Sequence, residues 1–171
     1  HSRAGIPRYC LELGQALSRT DEVYFFSRNV EHPDPGGRVV RFPWSFRSMR
    51  IEYGPNTFLN SAFVGFAKGL LGLDIVNTHG GEMLGFDVIT AHGTWPGYFR
   101  AILKFAPERA SRLRKSMIPR VERANYRMRR YKRIIAVSEL TRRELITQYE
   151  VPPEDIVVIP EGVDTDRFRP D

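Results

Sequence analysis

Two histidines, each followed by glycine, are the residues of this sequence best suited to chemistry: His79-Gly80-Gly81-Glu82 and His92-Gly93-Thr94-Trp95-Pro96-Gly97. An imidazole both donates and accepts hydrogen bonds near neutral pH, and a following glycine lets backbone come close to a ligand. A third candidate is Ser2-Arg3-Ala4-Gly5-Ile6-Pro7, a small-residue turn running straight into a helical pattern. The N–H groups and positive end of such a helix suit a phosphate or carboxylate. Neither G-x-G-x-x-G nor G-x-x-x-x-G-K-[ST] accompanies the turn. Metal binding is not expected, because no third His, Cys or clustered acid stands at ligand spacing and Cys10 is remote in sequence. Ser138 follows a strand pattern without a surrounding G-x-S-x-G, so it reads as a helix cap and not a nucleophile. Trp95, Tyr98 and Phe99 can form a platform for a ligand ring or an acyl chain, or can cover the top of a sheet.

These groups need elements to hold them. Six short runs rich in β-branched and aromatic residues predict strands: Glu22 to Ser27, Arg38 to Phe42, Asp74 to Thr78, Asp87 to His92, Arg133 to Val137 and Ile156 to Ile159. Most are nearly continuous apolar runs, as expected for parallel strands covered on both faces. Helical patterns lie between them. Tyr9, Leu13, Ala16 and Leu17 share one face, with Pro7 suited to the first turn. Phe58, Ala62, Phe66 and Leu70 recur beside Leu59, Phe63, Ala67 and Leu71, a broad apolar face that predicts a deeply packed helix. Met117, Val121, Ala124, Met128 and Tyr131 predict an inward stripe, with Pro119 near its start. Ser138 is placed to cap Glu139 to Tyr149, leaving Leu140, Leu145 and Ile146 to pack. Alternating strands and helices predict an α/β fold with a mainly parallel sheet, in which ligands bind at the carboxyl ends of strands. Both His-Gly pairs stand there.

Length and charge bound the rest. The chain has 171 residues, of which 42% are hydrophobic and 27% charged, enough for one domain with a sizeable core. Its longest apolar-leaning stretch, Phe58 to Leu73, holds Asn60, Ser61 and Lys68 and is short of the ~20 residues a membrane span needs. The opening His1-Ser2 lacks a secretory pattern and the lone Cys10 has no disulfide partner, so the expected location is cytoplasmic. The net charge of +6 is concentrated, since Arg109 to Arg133 holds eleven Lys or Arg against the single acid Glu122. Such a segment suits phosphates, anionic lipid head groups or a charged substrate, and equally a solvated helix face.

Taken in order, the motifs resemble the N-terminal domain of family 4 glycosyltransferases, which have the two-Rossmann-domain GT-B architecture. The resemblance rests on Gly5-Ile6-Pro7-Arg8-Tyr9 leading into Leu11 to Leu17, then Asp74 to His79, Val88 to Gly93 and Ile134 to Glu139. It closes with Ile156 to Asp164 and Phe168-Arg169-Pro170. The resemblance implies a Rossmann-like three-layer α/β/α domain over residues 1–160, half of a GT-B fold, with an interdomain linker starting at 161–171. It implies retaining transfer of a sugar from a nucleotide-sugar donor to an acceptor, with no metal and no other cofactor. His92 is then the catalytic residue near the transferring sugar. His79, Gly80, Gly93 and Trp95 line the acceptor side, and Gly5 and Ala4 approach the donor phosphates, with Arg3 and Arg8 nearby. A departing pyrophosphate is the charge that backbone donors and a helix N-terminus stabilise.

The family also places a strand before the glycine turn, at the centre of the sheet, and a donor-binding domain after the linker. The expectation is therefore of a fragment with little or no transferase activity alone. Glu161 stands where the family often has Asn, and Pro7 where glycine is common. Relatives modify lipid-linked or envelope acceptors, so the basic segment is a candidate for peripheral contact with an anionic inner-membrane face. Two other classes remain open beside this one. The basic segment can bind nucleic acid electrostatically, although no nucleic-acid module is visible and none is expected as a partner. The domain can also be a non-catalytic interaction module, since fold does not fix function. A nicotinamide-dependent oxidoreductase is disfavoured by the missing G-x-G-x-x-G.

Overall fold

The computed structural model describes residues 5–27, 34–44, 55–80, 83–107 and 118–162. Ala4, Gly81, Glu82, residues 108–117 of the basic segment and residues 163–171 of the expected linker lie outside the described residues, as do parts of the two loops near 30 and 50. In chain order the elements are helix α1 (Gly5–Leu17), strands β1 (Tyr24–Ser27) and β2 (Arg38–Arg41), and helix α2 (Pro55–Leu71). Strands β3 (Asn77–His79) and β4 (Val88–Ala91) follow, then helices α3 (Trp95–Phe105) and α4 (Ile118–Arg127). Strand β5 (Arg133–Ala136), helix α5 (Glu139–Tyr149), a 3₁₀ turn (Pro153–Asp155) and strand β6 (Ile156–Val158) complete the order. All six expected strands form, and every described pairing is parallel.

The strands fall into a pair, β1-β2, and a four-stranded sheet in the order β3-β4-β5-β6. Register explains the main core. Ile89 sits opposite Ile134, Ala91 opposite Ala136, and Ile134 opposite Ile156, so alternate residues of three strands share one face. Tyr126 of α4 and Leu145 and Tyr149 of α5 close over that face, with Val151 beneath. Ser138 caps α5 as its spacing predicts, its hydroxyl accepting from the Thr141 amide at 3.1 Å. A second cluster joins Val64 of α2 to Val76 and Phe86, with Phe26, Phe42 and Phe63 packed against it.

Among the described residues the sheet is interrupted between β1 and β3. A cleft of about 1370 Å³ lies there, lined from α1, β1, α2 and β3 by residues such as Leu11, Phe25, Asn56 and Asn77. Among the described residues the buried Oδ1 of Asn56 has no hydrogen-bond partner. Helix α1 crosses the β1 side at Gly14, where a Cβ would lie 2.0 Å from the Phe25 ring. Only a residue without a side chain allows that approach.

Several helix faces differ from the sequence expectation. Helix α2 is not deeply packed, because Phe58, Leu59, Phe66 and Leu70 are exposed while Val64 and Ala67 are buried. A helix apolar on almost every side does not reveal which side packs, and an interrupted sheet offers it only a narrow stripe. In α4 the buried stripe is Val121, Glu122, Asn125 and Tyr126. Met128 is exposed because the helix ends at Arg127 and the chain then turns through Arg129 at φ 47°. In α5 the inward residues are Thr141, Leu145 and Tyr149, four apart, which puts Leu140 on the outer face. The inward side of α1 likewise passes through Gly14, leaving Ala16 and Leu17 exposed.

Candidate functional site

His79 is the last residue of β3, not the residue after it, and His92 directly follows β4. The two strands are parallel neighbours, with His79 opposite Thr90, so both imidazoles reach the same carboxyl edge. They touch: His79 Nδ1 lies 3.2 Å from His92 Nε2. Thr90 Oγ1 donates to Asn77 Oδ1 at 3.0 Å on the strands below, and the Gly80 amide donates to the Thr90 carbonyl at 2.8 Å. Gly80 turns the chain at φ 84°, a conformation that glycine adopts without strain.

Helix α1 arrives from the other side of the crevice. The Tyr9 ring meets both imidazoles edge-on, with centroids 5.6 Å from His79 and 5.0 Å from His92. The helix itself begins at Gly5, about one turn before Tyr9. The start of α1 and the two histidines therefore share one rim. A Cβ at Gly5 or Gly93 would meet nothing within 4 Å, so backbone at both positions is open to approach.

A residue from far along the chain completes the row. Glu161 Oε1 lies 2.6 Å from His92 Nδ1, and the His92 side chain is only 10% exposed. Burial, helped by the neighbouring His92, pulls the His79 pKa down to about 4, so its ring is neutral at physiological pH. Burial, with Glu161 adding to it, pushes the Tyr9 hydroxyl up. Burial pushes the Cys10 thiol up to about 11. Among the described residues, no three His, Cys, Asp or Glu side chains gather as a metal site would require.

Beyond His92 the loop is gripped by two more glutamates. Thr94 Oγ1 donates to Glu144 Oε2 at 2.6 Å, and Arg100 meets the other oxygen of Glu144 at 2.5 Å. The Trp95 amide donates to Glu122 Oε2 at 2.8 Å, and the Tyr149 hydroxyl donates to the same oxygen. Trp95 thus opens α3, capped by Thr94, and its ring packs on Tyr98 and Phe99 of that helix. In the described contacts the Trp95 ring meets these aromatics and not the histidines.

The sequence reading brought together His79, His92 and the helix start, and it missed Tyr9 and Glu161 as neighbours. In the sequence Tyr9 reads as one of an apolar helical face, and Glu161 as part of a turn. The one signal for Glu161 was its departure from the asparagine usual in the family it resembles. Glu122 carried a clearer signal, as a lone acid among eleven basic residues.

Residues 3–167 match the family model for Glycosyltransferase Family 4. No curated protein matches the sequence. The crystal structure of WaaG, a glycosyltransferase involved in lipopolysaccharide biosynthesis, superposes with a TM-score of 0.65 at 19% identity, covering 94% of this chain and 41% of that one. A glycosyltransferase from Rickettsia africae ESF-5 gives 0.52 at 16% identity, covering 99% and 42%. The chain thus spans about two fifths of the length of each, and the likeness confirms the Rossmann-like α/β fold. With the family model covering almost its whole length, the chain belongs to glycosyltransferase family 4.

Proposed function

We propose that this chain is the acceptor-side half of a retaining enzyme that moves a sugar from a nucleotide-sugar donor to an acceptor hydroxyl, without a metal. The observation that carries the reading is the rim where His79, His92 and the start of α1 converge at the carboxyl ends of adjacent parallel strands. In this reading His92 faces the transferring sugar. His79, Gly80, Gly93 and Trp95 border the acceptor, and Gly5 with Ala4 approaches the donor phosphates. The interrupted sheet and its cleft support a further strand completing this half, and the coverage of about two fifths supports a second, donor-binding half. The chain alone is then inactive, and residues 1–160 form the domain with a linker from 161.

The test is release of nucleotide from a panel of nucleotide-sugars by the protein carrying both halves. A His92→Ala change, which removes the ring facing the sugar and leaves His79 without its partner, is expected to lower the rate about 100-fold. Transfer by the 171-residue chain alone would overturn the division of labour.

Lipid-linked or envelope acceptors, and a cytoplasmic site at the inner membrane face, follow as finer proposals. Their support is the outward arginines of α4 and the turn after it, Arg120, Arg123, Arg127, Arg129 and Arg130, all exposed. No helix among the described residues is long and apolar enough to cross a membrane. Co-sedimentation with liposomes is expected to require anionic lipid, and equal binding to neutral liposomes would reject the contact.

A further inference from the structure

Both nitrogens of His92 are occupied, one by a carboxylate and one by a second imidazole. The carboxylate accepts only, so His92 carries its proton on Nδ1, towards Glu161. In a singly protonated His92 ring the Nε2 is then a lone pair, and the contact to His79 is a hydrogen bond when His79 donates from Nδ1. A neutral imidazole holds one proton, which leaves His79 Nε2 bare. Among the described residues nothing bonds that nitrogen, and His79 lines the cleft beside α1. Tyr9 meets both rings edge-on.

We propose that Glu161 is a positioning residue which, through His92, fixes the proton order of the pair so that His79 offers Nε2 to the crevice as an acceptor for a substrate hydroxyl. The inference rests on the sugar-transfer reading for the word substrate, but its geometry does not depend on it. The consequence differs from the sequence expectation in one respect. His92 is saturated by its protein partners, and His79 is the imidazole with a vacant position.

The test is nitrogen NMR of protein labelled with ¹⁵N-histidine, where four histidines give few signals and His79→Gln and His92→Gln variants assign them. The expected spectrum at neutral pH shows one tautomer for each ring, with protons on Nδ1 of both His79 and His92. A Glu161→Gln change offers His92 an amide that can donate as well as accept, so the fixed order is expected to break down to a mixture of tautomers at both rings. Glu161→Asp, with its charge retained, is expected to keep the wild-type order. Glu161 is half exposed, so these variants remain folded, which an unchanged amide spectrum away from the rim confirms. A proton on Nε2 of wild-type His79, or an unaltered tautomer in the Gln variant, would overturn the proposal. Neither result bears on nucleotide release, so failure here and failure of the sugar-transfer reading are separate outcomes.

Discussion

Strand β4 is held by carboxylates at both ends, and the two ends are held in different ways. At the amino end, Asp87 takes Lys68 at 2.5 Å, Lys132 at 3.0 Å and the Val76 amide at 3.0 Å. Burial raises the Asp87 pKa, but the two lysines and the amide outweigh it and hold the carboxyl well below its usual range. At the carboxyl end, Glu161, Glu144 and Glu122 grip His92, Thr94 and Trp95 in turn. Burial pushes Glu122 up despite the Tyr149 hydroxyl and the Trp95 amide, and Glu144 adds to the rise. In the described contacts no lysine or arginine answers Glu122. One end is compensated charge that anchors the fold. The other is acid held close to a loop that borders the proposed site, at the end where ligands meet such sheets.

The contrast is broken most severely by Asp87→Asn. Two lysines would then face an uncharged amide, and the expected loss is about 3 kcal/mol in urea unfolding at pH 7. The sign in acid follows from the depressed pKa: Asp87 contributes fully above its ordinary value of 3.8, and that contribution is lost as pH falls towards the native value. The variant should therefore show a flatter acid limb than the wild type.

Gly97→Ala attacks the other end. A Cβ there would lie 2.5 Å from Glu144 Oε2, so the carboxylate must leave Thr94 and Arg100. About 1.5 kcal/mol of stability is expected to go, read as a lowered Tm. Glu122→Gln sharpens the comparison by its opposite sign. A raised carboxyl contributes stability below its ordinary value of 4.5 and loses it as pH rises through the native pKa. The amide mimics the protonated form, so at pH 7 the variant should equal the wild type or exceed it by up to about 1 kcal/mol. A clear loss at pH 7 would remove the distinction between the two ends. Ser138→Ala, which uncaps the helix carrying Glu144, should cost least, about 0.5 kcal/mol by thermal unfolding.

The sequence disclosed the strands and the histidines for the same reason. Buried parallel strands are apolar without interruption, so Ile134-Ile135-Ala136 and Val88 to Ala91 stand out, and the first polar residues after such runs mark the carboxyl edge. Contacts made across long separations leave no comparable trace. Glu161 reaches His92 over 69 residues, and its side chain looks like any exposed acid in a turn. The outward side of α2 was illegible for a different reason, since Phe58, Phe66 and Leu70 are chemically the same as the residues that do pack. Glu122 was legible in principle, because a lone acid inside a basic stretch needs a reason to be there.

The gap between β1 and β3 has a mechanical consequence. Among the described residues, the half of the crevice carrying Tyr9 meets the half carrying the histidines through apolar contacts on α2 and an aromatic wedge. The further strand proposed above, seated between β1 and β3, would add a ladder of directional bonds to both neighbours. Its pairing would then govern how firmly Tyr9 is clamped against the two imidazoles.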